Sequence, residues 1–81
     1  MIDEKIEELQ EQLLNEKRFF MRDGLNAGLK LLTRYKNGEI DESSLKKLAQ
    51  GDPRDYFSWP QKAICSAKKS MAQFILDEVN K

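Results

Sequence analysis

Ile2, Ile6, Leu9 and Leu13 follow one another at intervals of four, three and four residues. A strand would split these four side chains between its opposite faces, whereas a helix gathers them on one. This apolar stripe constrains the chain more than any other feature, because four aliphatic side chains in one row must be covered by something. Continuing the same register reaches Glu16, Phe20 and Asp23, so the strict heptad decays. A second stripe, offset by one position, takes over with Leu14, Met21, Leu25, Gly28, Leu32 and Tyr35. An offset of this kind is the drift of a 3.6-residue helix against a 3.5-residue repeat, so the spacing predicts one long helix over residues 3–36. A break at Asp23-Gly24 is the alternative, since Asp-Gly favours turns. The single helix is preferred because leucines continue in register beyond Gly24 and no proline intervenes.

Asn37-Gly38 ends this helix, with Arg34 and Lys36 in its last turn where the dipole favours cations. Asp41 is a good N-cap for a short helix over 42–50, with Ile40 and Leu45 placed as a hydrophobic staple. Asp52-Pro53 opens a single turn over 53–57. Ser58 or Trp59 caps a last helix over 60–79, whose inner face reads Ala63, Ile64, Ala67, Met71, Phe74 and Ile75. No strand pattern competes. The expected fold is a single all-α domain over 1–81, with the long N-terminal helix and shorter C-terminal helix as an antiparallel hairpin and two short helices between.

Length turns the stripe into a problem. A helix of about 34 residues is ~50 Å long and one of about 20 residues ~30 Å, so the last helix leaves roughly the first 12–14 residues uncovered. The stripe then needs a second copy of the chain, another protein, or a break that lets the chain cover itself. The expected interface is Ile2, Ile6, Leu9 and Leu13, with Gly24 and Gly28 marking a close helix crossing against the last helix or a partner. A homodimer is the favoured assembly, with a larger protein as a further partner.

Charge supports association. The chain is neutral overall, yet residues 1–16 hold six acids and one base, net −5, and residues 17–36 hold six bases and one acid, net +5. Residues 37–60 and 61–81 carry −2 and +2. An antiparallel pair would set each −5 segment against a +5 segment.

Catalytic chemistry finds little to work with. There is no histidine, and the one cysteine, Cys65, has no recognisable base beside it. Glu4/Glu8 and Glu7/Glu11 form a flat acidic row, not a converging cage. No catalytic residue, metal ligand or cofactor is assigned. Mean hydropathy is −0.71 and no run is long enough to span a membrane. The acidic start, MIDEKIEELQ, is unlike a secretory signal, and a lone cysteine suits a reducing compartment, so a cytoplasmic protein is expected.

Two segments are candidate binding sites. Lys17, Arg18 and Arg22, with Phe19 among them, form a basic-aromatic cluster in which Arg18 and Arg22, one turn apart, could grip a phosphate or an acidic partner. The plainer reading is a solvated basic face. Residues 52–59 hold Arg54, Tyr56, Phe57 and Trp59. These aromatics either plug the end of the bundle or form a binding epitope, and an exposed Trp59 would favour the second. Specific DNA binding is disfavoured, because a helix-turn-helix over 43–64 would set Pro60 near the start of its recognition helix, beside Asp52 and Asp55. The expected function is a non-enzymatic adaptor or inhibitor acting through helical faces, in the style of a small phage or mobile-element accessory protein. A binder of an anionic ligand, nucleotide or RNA through residues 17–22 is the alternative.

Overall fold

A computed structural model describes residues 1–80. The helix expected over residues 3–36 is two helices, α1 (Ile2–Asn15) and α2 (Phe19–Lys36), which fold against each other. The rest is α3 (Glu42–Ala49), a 3-10 turn (Pro53–Asp55) and α4 (Trp59–Val79). Among the described residues there is no strand, and the architecture is an all-α bundle. Its longest dimension is 33 Å, which already excludes a straight ~50 Å helix.

The break falls at residues 16–18, not at Asp23-Gly24. Glu16 (φ −87°, ψ 126°) and Arg18 (φ −79°, ψ 121°) are extended. Neither glycine nor proline imposes this; side chains hold it. The Glu16 carboxylate accepts from the Arg18 backbone N–H at 3.1 Å and from its guanidinium at 2.7 and 3.2 Å. Arg22 Nη1 donates to the carbonyls of Leu13 at 2.9 Å and Glu16 at 3.1 Å, and Asn15 Nδ2 to that of Glu11 at 3.2 Å. Carbonyls orphaned where α1 stops thus find partners.

The energetic reason is the stripe. Burying a Leu or Ile side chain is worth about 1.5–3 kcal/mol, and each interrupted helical hydrogen bond costs only about 0.5–1.5 kcal/mol net. In the hairpin Leu9 is buried, and Ile2 and Ile6 pack against the same core. Lys36 Nζ meets Asp3 at 2.6 Å, so the start of α1 lies beside the end of α2. The antiparallel apposition of the −5 and +5 segments expected between two copies therefore occurs within one chain.

The core is Leu9, Leu31, Leu32, Leu45, Ala72, Ile75 and Leu76, drawn from all four α-helices. At Gly24 the backbones of α2 and α4 approach closely: a Cβ there would lie 3.0 Å from the Ala63 carbonyl oxygen. Gly28 faces Met71 of α4 and Leu9 of α1. Gly38 takes φ +74°, the left-handed backbone that ends α2. Asp41 Oδ1 accepts from Ser44 N–H at 2.8 Å and Ser58 Oγ from Gln61 N–H at 3.3 Å, capping α3 and α4. No described helix is long and apolar enough to cross a membrane.

Candidate functional site

Three elements converge at one corner of the bundle: the start of α2, the 3-10 turn and the start of α4. The extended backbone at Arg18 delivers Phe19 and Phe20 as the first two residues of α2. Their rings meet edge to face, with centroids 5.9 Å apart. Phe20 lies 6.4 Å from the ring of Trp59, the first residue of α4. Cations flank the rings. The Arg18 guanidinium is 5.9 Å from the Phe20 centroid and Lys62 Nζ 5.9 Å from that of Trp59. A cavity of ≈ 350 Å³ opens between Phe20, Pro53, Arg54, Trp59 and Lys62.

These aromatics do not plug the bundle. Phe19 is 68% exposed, Trp59 70% and Phe57 99%. A fully exposed Phe forgoes about 1.5–3 kcal/mol of burial, so the core gives no reason for it. The turn before them is locally fixed. Asp52 accepts from the Arg54 backbone N–H at 2.9 Å and from its guanidinium at 2.8 to 3.1 Å. These bonds hold the Asp52 carboxyl down at about 2 and raise Arg54 above its ordinary value. In the same way the Arg18 fork lowers Glu16, and Glu16 raises Arg18.

The candidate residues therefore separate. Phe19, Arg18, Arg54 and Trp59 are brought to one corner, with Phe20 and Lys62 joining them. Arg22 is not a ligand-gripping partner of Arg18, because its guanidinium is taken by the carbonyls at the α1–α2 turn. Lys17 is exposed in that turn. The expected interface residues are internal: Leu9, Gly24 and Gly28 are buried, and Ile2, Ile6 and Leu13 are half-buried. An unbroken helix would leave Ile2, Ile6, Leu9 and Leu13 uncovered, whereas the hairpin covers them; Gly24 and Gly28 mark a close approach to the last helix, one of the two crossings expected of them.

Sequence reasoning leaves Phe20 to the core and gives Lys62 no role in the site, while Phe57 stands among the aromatics of the candidate segment 52–59. Phe57 had one signal, its place among aromatics in a segment bounded by Pro53 and Pro60, too short to bury them all. Cys65 is half-buried beside Gly51. Among the described residues, no three His, Cys, Asp or Glu side chains gather as a metal site. Comparison with protein-family models, curated proteins and solved structures finds no match.

Proposed function

We propose that this chain is a non-enzymatic adaptor or inhibitor that docks on a larger protein through its aromatic corner. The observation that carries this reading is the exposure of Trp59, at 70%, on a cavity it lines with Phe20 and Arg54, and of Phe57, at 99%, two residues before it. Exposed aromatics next to arginine are what energetic centres of protein interfaces are made of. The self-covered stripe moves the proposed contact away from α1: Leu9 at 6% exposure has nothing left to offer a partner. Protein is favoured over a phosphate-bearing ligand because the forks of Arg18 and Arg54 already hold Glu16 and Asp52, and an anion would have to displace those carboxylates.

Affinity capture with the wild-type chain and with F57S/W59S as baits tests the proposal. Both substituted side chains are exposed, so the fold is expected to survive, which circular dichroism checks. A protein captured by the wild type and lost by the variant supports the reading. Equal capture by both baits, or a nucleotide or oligonucleotide that binds the wild type in a salt-sensitive way, refutes it.

A further inference from the structure

Away from the aromatic corner, α2, α3 and α4 enclose a groove of ≈ 770 Å³ to which α1 contributes no residue. Its floor includes Ala27, Leu48 and Ile64, and its rim carries Lys30, Arg34 and Lys68. A smaller cavity continues it past Leu48 and Ile64, adding Lys47. Among the described residues, no carboxylate stands within 4.0 Å of any of these four cations. Lys17, Lys62 and Lys69 elsewhere on the surface lack such a partner too, so what distinguishes Lys30, Arg34 and Lys68 is that they stand together around an apolar floor.

We infer that this groove binds an acidic amphipathic helix of another protein, about three turns long. Ala27, Lys30 and Arg34 are spaced three and four apart on one face of α2, so the groove runs along that helix. From Asp23 to Arg34 the wall is ~16 Å long, which is three helical turns. An apolar floor takes side chains at i, i+3 or i+4 and i+7, and Lys30 and Arg34 on one wall and Lys68 on the other take Glu or Asp on the flanks of the same helix.

Two other occupants fit less well. A nucleic acid offers no aliphatic side chains to the apolar floor of Ala27, Leu48 and Ile64. A second copy could present the exposed Glu4, Glu7, Glu8 and Glu11 of its α1, but that helix has its apolar stripe on its own core. The inference stands on different residues from the aromatic corner and does not depend on it.

Fluorescence anisotropy tests it with a labelled peptide of roughly 12 residues, Leu at the helical i, i+3, i+4 and i+7 positions and Glu elsewhere. A matched peptide with Lys for every Glu is the comparison. The Glu peptide should bind the wild-type chain about tenfold or more tighter than the Lys peptide, with the difference shrinking as salt rises. K30E/R34E should reverse the preference; both side chains are exposed and unpaired, so the fold is retained. The comparison of the two peptides on the wild type needs no variant. Equal affinity for both peptides, no binding of either, or tighter binding of an oligothymidylate overturns the inference. So does a wild-type dimer in sedimentation velocity that K30E/R34E dissolves, since the groove would then serve a second copy.

Discussion

Gly24 and Gly28 stand one turn apart on α2, and alanine at either position brings the same local gain. In a helix interior, Gly→Ala is worth about 1 kcal/mol through propensity and lost unfolded-state freedom. What differs is the space. A Cβ on Gly24 would lie 3.0 Å from the Ala63 carbonyl oxygen, 3.4 Å from its carbon and 3.5 Å from its Cβ. Those are mostly backbone atoms, so relief requires α4 to shift as a body. Overpacking costs about 1–3 kcal/mol, and rigid neighbours put this site in the upper part of that range. A Cβ on Gly28 would meet Met71 Cγ at 3.2 Å and Leu9 Cδ1 at 3.4 Å. Both belong to side chains with rotamers to spare, and Met adapts readily. G24A should therefore be destabilised by about 1–2 kcal/mol net, while G28A stays within ~0.5 kcal/mol of the wild type or exceeds it. In a domain of this size 1 kcal/mol moves Tm by about 4–8 °C, so G24A should melt well below G28A. Urea unfolding followed by circular dichroism gives the same comparison as midpoints, provided m is unchanged. G24A as stable as G28A would mean that α2 and α4 do not cross at Gly24.

Three further outcomes follow from the same geometry. Replacing Arg22 by Met should cost about 1 kcal/mol in urea unfolding, because the Leu13 and Glu16 carbonyls lose a charged donor to water; no change would show that the turn holds without it. Asp3, Glu16, Asp41 and Asp52 all titrate below their ordinary values, Asp52 at about 2 instead of 3.8. The folded chain thus binds fewer protons than the unfolded one, so their contribution is present above pH ~4 and is lost as pH falls toward 2. D52N should flatten the acid limb of stability against pH, and an unchanged limb would remove Asp52 from the account. L9D should unfold the chain at every protein concentration, since it buries a carboxylate inside the hairpin; a folded monomeric L9D from a dimeric wild type would return the stripe to an interface between copies.

The all-α fold was legible because the apolar intervals of four and three, the caps at Asp41 and Ser58 and the terminator Gly38 each act locally, and local physics is written in local sequence. The turn at 16–18 was not. Its evidence is Glu16 standing where the stripe required an apolar residue, together with the one-position offset that follows. Drift of a continuous helix explains the same offset, and nothing in the Glu16-Lys17-Arg18 stretch is a helix breaker. Only the competition between an uncovered stripe and a few hydrogen bonds decides, and that competition is tertiary. The same turn misdirects the site. Arg22 has the composition of an anion ligand and the function of a helix cap, a difference that depends on carbonyls no sequence displays. The aromatic corner was partly legible, because the segment between Pro53 and Pro60 is short and the bundle end it crosses is small.

Charge segregation has a role that follows from this fold. An exposed ion pair such as Asp3–Lys36 contributes at most about 1 kcal/mol, so the opposite charges of α1 and α2 do not hold the hairpin together; the buried stripe does. What the charges supply is direction. On α2 the cations divide by face. Arg22 and Lys36 project toward α1, while Lys30 and Arg34 lie roughly 120° around the helix axis, on the groove. One basic segment thus selects its own acidic neighbour on one side. On the other it keeps Lys30 and Arg34, which make no salt bridge among the described residues, beside an apolar floor with Asp23 at one end. Since α1 is already placed on α2 and its acids face water, its charge answers the α1 side of α2 and not the groove, which is why the groove is the place to test for an acidic helix.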